Sequence, residues 1–106
     1  MTAMAVQPEL PVVRVAAVQA TPVILDLDAS VAKAVGLIAE AVAQGAQLVV
    51  FPETFLSLYP SYAWAHLPAS GAQGDEFWER FWGSSVAVDG PAVATLVDAW
   101  IEGNLA

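Results

Sequence analysis

The 106-residue sequence contains no cysteine and only 3 basic residues, against 11 acidic ones. Without cysteine, the chain forms no disulfide and no thiolate metal site, and it has no thiol nucleophile of its own. The formal net charge of -8 excludes nucleic acid as a partner, because 3 cations do not neutralise a run of phosphates. The same shortage of cations argues against an anionic membrane surface. No secretory signal is visible, and we expect a cytoplasmic location.

Charged residues of either sign are also scarce, at 13%, whereas hydrophobic residues make up 58%. This balance predicts secondary-structure elements that are covered on both faces, or a surface that meets further protein. Residues 1–11 contain two prolines and no periodicity, and we interpret them as a leader. Residues 12–106 then form one domain or part of one.

Two apolar segments on either side of a helical pattern predict an α/β fold. Val12–Gln19 and Gln47–Phe51 are nearly continuous apolar runs, typical of strands buried on both faces. Between them, apolar residues recur at three- and four-residue steps from the capping candidates Asp26, Asp28 and Ser30 to a stop at Gly45. The pattern predicts a βαβ unit with parallel strands and a right-handed crossover.

The second half of the chain predicts helices. The pattern predicts a short aromatic helix over Asp75–Trp82. Pro91 suits the first turn of a last helix, which we expect to stop at Gly103. The predicted buried stripe of that last helix is made of apolar residues at helical spacing: Val93, Leu96, Val97, Trp100 and Ile101.

The strongest functional candidate is Glu53, which follows the second predicted strand directly. Ligands of open α/β sheets bind beyond the carboxyl ends of parallel strands. A carboxylate placed there among Phe51, Phe55 and Tyr59 would be partly desolvated, which strengthens it as a general base. The structural alternative is that Glu53 caps a turn or pairs with a surface cation.

Other candidates are better explained by structure. His66 is the sole histidine and has no cysteine or second histidine to form a metal site. Asp26 and Asp28 resemble ligands of a divalent cation, but helix capping explains them more simply. Thr21 and Pro22 stand where a phosphate-binding loop would carry glycines, which disfavours a nucleotide.

The sequence resembles the nitrilase (carbon–nitrogen hydrolase) superfamily, and its nitrilase branch more than its amidase branches. The similarity runs from about Val13 to Asp98. The segments that carry it are Val15–Ala20, Gln44–Thr54 with its Phe-Pro-Glu block, Leu58-Tyr59-Pro60 with Tyr62 and Trp64, and Val86–Pro91.

The resemblance implies an αββα sandwich that pairs with a second copy in a homo-oligomer. It also implies hydrolysis of a nitrile or amide by a Glu–Lys–Cys triad, with no metal and no organic cofactor. Only the glutamate transfers to this sequence, onto Glu53 as proton acceptor. Tyr59 and Trp64 are weaker candidates for substrate contact, because aromatic residues in such loops often only pack.

The sequence also departs from the family pattern. It has no cysteine, and its only lysine, Lys33, belongs to the crossover helix. We therefore interpret the chain as the N-terminal portion of an incomplete nitrilase-like protein, inactive by itself. One alternative is a non-catalytic interaction module of the same fold that presents apolar surface to a homologous chain. The others are an amidase-branch member and a generic α/β unit with a coincidental Phe-Pro-Glu.

Overall fold

A computed structural model describes residues 9–59 and 72–105. The elements in chain order are β1 Val15–Ala17, α1 Leu27–Ala43, β2 Leu48–Val50, α2 Ala72–Gly83 and α3 Pro91–Leu105. Both strands are shorter than predicted, and most of the predicted leader lies outside the described residues. The predicted mixture of helices and strands is confirmed.

The two strands pair in parallel, as the sequence pattern predicted. Val15 lies opposite Leu48, and Ala17 lies opposite Val50. Hydrogen bonds extend the ladder at both ends: the Gln47 amide donates to the Arg14 carbonyl, and the Val18 amide donates to the Val50 carbonyl, each at 2.8 Å. Helix α1 connects the strands, so that the first half of the described chain is a βαβ unit.

Local signals set both ends of α1. The Asp26 carboxylate accepts a hydrogen bond from the Ala29 amide at 3.0 Å, which satisfies one of the free amides of the first turn. At the other end Gly45 has a φ of +87°, a left-handed conformation that glycine adopts without steric cost. Its amide donates to the Val42 carbonyl, and the Ala46 amide donates to the Ala41 carbonyl. These are the two bonds of a Schellman cap.

The apolar stripe of α1 forms most of the core. Its buried residues are Ser30, Val31, Ala34, Ile38 and Ala41. Helix α3 packs against α1, and Trp100 of α3 lines a cleft together with Ile38 and Val49. The two helices therefore lie on the same face of the sheet. No residue of α3 is fully buried, and Val97 and Ile101 are exposed, so the buried stripe predicted for this helix is wrong for those residues.

The prediction that both strands are buried on both faces is also wrong for the described chain. Ala16 and Val49 are partly covered, on the side of α1. On the opposite face Val15, Leu48 and Val50 expose 51%, 50% and 48% of their surface. The physical reason is that the described residues supply helices to one face of this sheet only. The radius of gyration is 19.1 Å, well above the roughly 13 Å of a compact 100-residue domain.

Helix α2 begins three residues before the predicted start and ends one residue after the predicted end. It carries an aromatic cluster in which the Phe77 and Trp78 ring centroids lie 5.3 Å apart and those of Trp78 and Phe81 lie 5.6 Å apart. Asp75 lies in the first turn, where a negative charge is favourable. None of the helices at 27–43, 72–83 and 91–105 has the length and apolar character to cross a membrane.

Gly103 lies inside α3, and the predicted stop at this residue is wrong. The presence of glycine at position 103 has another explanation, because α3 passes close to α1 at this point. A Cβ atom on residue 103 would lie 3.1 Å from Cγ1 and 3.3 Å from Cβ of Val42. A Cβ here would be tighter than an ordinary van der Waals contact, so Val42 would have to shift by a few tenths of an ångström, and the helix continues through Gly103.

Replacing Gly103 with alanine tests this close approach, and Gly36, exposed in α1, is the matched control. Within a helix, alanine is more favourable than glycine by about 1 kcal/mol. A Cβ at Gly36 meets nothing within 4 Å. We therefore expect Gly36→Ala to raise the free energy of unfolding by about 1 kcal/mol. Gly103→Ala should raise it less or lower it, because the new methyl group collides with Val42.

Urea denaturation of the 106-residue chain measures both changes. Relative to Val42→Ala alone, the further change Gly103→Ala should gain more stability than it does in the unchanged chain, because Cγ1 and Cγ2 of Val42 are then absent. Equal gains at Gly36 and Gly103 would contradict the close packing of α3 on α1.

Candidate functional site

The carboxyl ends of β1 and β2 lie at the same edge of the sheet, because the strands are parallel. The loop that leads to α1 departs from this edge after β1, and the turn that contains Glu53 departs from it after β2. The position predicted for Glu53, directly beyond a strand of a parallel sheet, is therefore the observed one.

The loop after β1 is attached to α1 by two side chains. Ser30 is 0% exposed, and its hydroxyl accepts from the Val23 amide at 3.0 Å and donates to the Val23 carbonyl at 2.9 Å. The Lys33 ammonium donates to the Thr21 carbonyl at 2.6 Å. From the sequence, Ser30 was predicted only as a capping candidate, and its burial and its hydrogen bonds to Val23 were not predicted. The signal that was missed is a hydroxyl residue on the apolar stripe of α1, where a buried polar group needs a partner.

The turn after β2 has an unusual backbone. Thr54 and Leu58 have positive φ angles, 54° and 71°, although neither is glycine. The Thr54 hydroxyl donates to the Glu53 carbonyl at 2.7 Å. The Phe55 amide donates to the Pro52 carbonyl at 3.2 Å, and the Leu58 amide donates to the Thr54 carbonyl at 2.8 Å. These bonds define a compact turn over residues 52–58.

Within this turn Phe55 points inward and Glu53 points outward. Phe55 is 5% exposed, and its ring centroid lies 5.1 Å from that of Phe51. The Glu53 side chain is exposed. The prediction that Phe51, Phe55 and Tyr59 partly desolvate Glu53 is therefore wrong for the described residues. Phe55 packs on the ring of Phe51 instead of against Glu53, and the left-handed residue Thr54 stands between Phe55 and Glu53.

Of the remaining candidate residues, the structure describes Tyr59, Asp26 and Asp28. Tyr59 is exposed at the end of the first described range, while Trp64 and His66 lie outside the described residues. Asp26 is the N-cap of α1, as the capping interpretation predicted, and Asp28 lies exposed in the first turn. Within residues 9–59 and 72–105, no group of three His, Cys, Asp or Glu side chains forms a potential metal site.

Two of the clefts among the described residues border the strands. One of about 480 Å³ runs along β1 from Arg14 to Gln19 and is bounded by Leu37 and Glu40 of α1. The other, of about 200 Å³, is the apolar gap between Ile38, Val49, Phe51 and Trp100. Glu53 lines neither cleft. The carboxylate is therefore presented at an open edge of the sheet, outside these two clefts.

The chemistry available at this edge is that of a single base. An exposed carboxylate accepts a proton, but proton transfer needs a reacting group within hydrogen-bond reach. The sequence has no cysteine, and Lys33 is bonded to the Thr21 carbonyl. The described residues thus present a proton acceptor without a thiol nucleophile beside it.

Comparison with known proteins identifies a family. Residues 14–104 match the family model described as carbon-nitrogen hydrolase. An aliphatic nitrilase of Rhodococcus rhodochrous is 42% identical over 93 residues, which cover 88% of this chain and 25% of that protein. A nitrilase of Bacillus sp. (strain OxB-1) is 40% identical over 89 residues, or 84% of this chain and 25% of that protein. An arylacetonitrilase of Aspergillus niger is 41% identical over 93 residues, or 88% of this chain and 27% of that protein.

The chain thus spans about a quarter of the length of these curated relatives. The matched segment contains β1, α1, β2 and the turn with Glu53. The similarity therefore includes the edge of the sheet at which the candidate base lies.

Substitution of Asp26 separates helix capping from cation binding. We expect Asp26→Ala to lower the free energy of unfolding by about 1 kcal/mol, because the Ala29 amide loses its acceptor. Asp26→Asn should keep most of that stability, because asparagine caps as well as aspartate. Thermal or urea denaturation with and without Mg²⁺ and Ca²⁺ provides the measurement. A cation that stabilises the unchanged chain but not Asp26→Asn would contradict the capping role.

Proposed function

This chain belongs to the carbon–nitrogen hydrolase family, and from that membership we propose that it supplies the glutamate base of an enzyme that hydrolyses nitriles. The family resemblance predicted from the sequence is confirmed. The observation that carries the proposal is the position of Glu53. It follows β2 at the carboxyl edge of a parallel sheet, inside the segment that matches the family.

The proposed reaction converts a nitrile and two water molecules into a carboxylic acid and ammonia. A cysteine thiolate adds to the nitrile carbon, and Glu53 takes up the thiol proton, which passes to the nitrogen to give a thioimidate. One water molecule then adds to the thioimidate carbon with Glu53 as the base, ammonia leaves and a thioester remains. A lysine ammonium stabilises the negative charge that develops in this step. Water then cleaves the thioester, with Glu53 again as the base. The reaction uses neither a metal nor an organic cofactor.

In this mechanism the thiolate comes from outside residues 1–106, because the chain has no cysteine. We assign the lysine to the same source, since Lys33 lies in the crossover helix α1. We therefore propose that the 106-residue chain alone does not turn over nitriles. The whole enzyme is proposed to be a cytoplasmic homo-oligomer with an αββα sandwich, in which further protein covers the open face of the sheet.

The names of these relatives favour nitriles over amides as the substrate class. They are an aliphatic nitrilase, a nitrilase and an arylacetonitrilase. Tyr59 and Trp64 follow Glu53 in the same matched segment, and we propose them as walls of the substrate site. Their aromatic rings suit contact with the apolar part of a nitrile.

The role of Glu53 can be tested in a chimeric enzyme. The 93 matched residues of the Rhodococcus rhodochrous nitrilase are replaced by those of this chain, and ammonia release from an aliphatic nitrile is measured. We expect Glu53→Gln to lower kcat by at least about 100-fold, because the amide does not act as a general base.

The matched control is Glu76→Gln, the same change at an exposed glutamate of α2. It should leave kcat near that of the unchanged chimera. Turnover by Glu53→Gln at the rate of the control would remove the assignment of Glu53 as the base.

A second candidate function is a non-catalytic module that associates with a homologous chain. The observation in its favour is the open face of the sheet, where Val15, Leu48 and Val50 are each about half exposed. Exposed apolar side chains grouped on one face are typical of surfaces that meet another protein.

Sedimentation of the purified 106-residue chain distinguishes this candidate. A module of this kind should sediment at twice the monomer mass, and Val50→Lys should return it to a monomer, because a charge on the open face opposes its burial. Val97→Lys, at an exposed position of α3, is the control and should leave the dimer intact. A stable monomer would count against the module.

A further inference from the structure

We propose that Thr54 is a positioning residue for Glu53, holding the turn after β2 in a left-handed conformation that directs the carboxylate out of the sheet edge. This inference rests on the proposed function, since Glu53 must be the base for its direction to affect turnover. It adds a second residue to the site, and that residue acts through the backbone without touching the substrate.

The backbone at Thr54 is the first support. Its φ of 54° lies in the left-handed region, which a β-branched side chain rarely occupies because Cβ crowds the backbone there. Residues in such conformations persist only where the surrounding contacts require them, and they cluster at functional sites. Three described residues other than glycine have positive φ, namely Leu25, Thr54 and Leu58, and of these Thr54 is β-branched and is the immediate neighbour of the candidate base.

The contacts of Thr54 explain how the conformation is held. Its hydroxyl donates to the Glu53 carbonyl at 2.7 Å, and its own carbonyl accepts from the Leu58 amide at 2.8 Å. Thr54 is thus bonded on both sides, toward Glu53 through its side chain and toward the end of the turn through its backbone. The peptide between Glu53 and Thr54 therefore has one preferred orientation.

Phe55 provides the fixed point against which this orientation acts. It is 5% exposed, and its ring packs on Phe51, the residue that follows β2. Phe55 is buried and Phe51 is half-buried, and because their rings pack together the chain has to reverse between them. The left-handed residue makes that reversal while Glu53 remains at the surface. A right-handed or extended Thr54 would rotate Glu53 relative to Phe55.

The test compares two substitutions of Thr54 in the chimeric nitrilase. Thr54→Val keeps the branched shape but removes the hydroxyl that holds the turn, whereas Thr54→Gly removes both and adopts positive φ freely. We expect Thr54→Val to lower kcat on an aliphatic nitrile about tenfold or more with KM almost unchanged, since small misplacements of a catalytic group strongly reduce rates. Thr54→Gly should recover most of kcat. Thr95→Val, on exposed helical backbone in α3, is the matched control and should have no effect.

The outcomes separate this inference from the proposed function. If Glu53→Gln abolishes turnover but Thr54→Val equals the Thr95→Val control, the positioning role is overturned and the base remains. Equal losses in Thr54→Val and Thr54→Gly would also overturn it, because they would reflect general damage to the turn. If Glu53→Gln remains active, the proposed function itself fails.

A measurement on the unchanged 106-residue chain keeps the inference testable whether or not the chimeric variants fold. Positive φ brings the amide proton of a residue close to its own α-proton, which gives a strong intraresidue nuclear Overhauser effect. We expect this signal at Thr54, with that of Thr95 as the helical reference. A Thr54 signal no stronger than that of Thr95 would overturn the left-handed turn and the inference with it.

Discussion

Parallel pairing of β1 and β2 through α1 is the constraint on which the site depends. It brings the carboxyl ends of both strands to one edge, so that the loop after β1 and the turn after β2 leave the sheet side by side. Ser30 and Lys33 of α1 hold the first of these segments through the carbonyls of Val23 and Thr21. The crossover helix therefore both sets the direction of the strands and shapes the edge at which Glu53 lies.

The exposure of Glu53 and the open face of the sheet have the same physical origin. The described helices cover one face of two short strands, which leaves Val15, Leu48 and Val50 about half exposed on the other. Among the residues that the structure describes, Glu53 at the rim of this sheet is exposed to water. Desolvation of the base and burial of the apolar face are thus linked, because protein that covered the face would also enclose the rim.

Local features of the fold could be predicted from the sequence, and features that depend on distant partners could not. The cap at Asp26, the stop at Gly45 and the buried apolar residues of α1 follow from capping chemistry and a 3.6-residue period. Gly103 was misinterpreted because a glycine at a helix end and a glycine at a helix crossing look alike in one sequence. The distinction lies in Val42, 61 residues earlier in the chain, which contacts it. Similarly, the position of Glu53 could be predicted from the strand before it, but its exposure could not.

The turn at Thr54 is one of the features that depend on neighbouring residues. Its left-handed residue and its hydrogen bonds involve only residues 52–58, so its geometry arises locally and does not wait for the rest of a catalytic site. Its anchor is local as well, because Phe55 packs on the ring of Phe51, four residues earlier, where β2 ends. A base presented in this way has its backbone direction defined before any nucleophile is near. Such preorganisation is what a general base requires, since reorienting it during the reaction would add to the barrier.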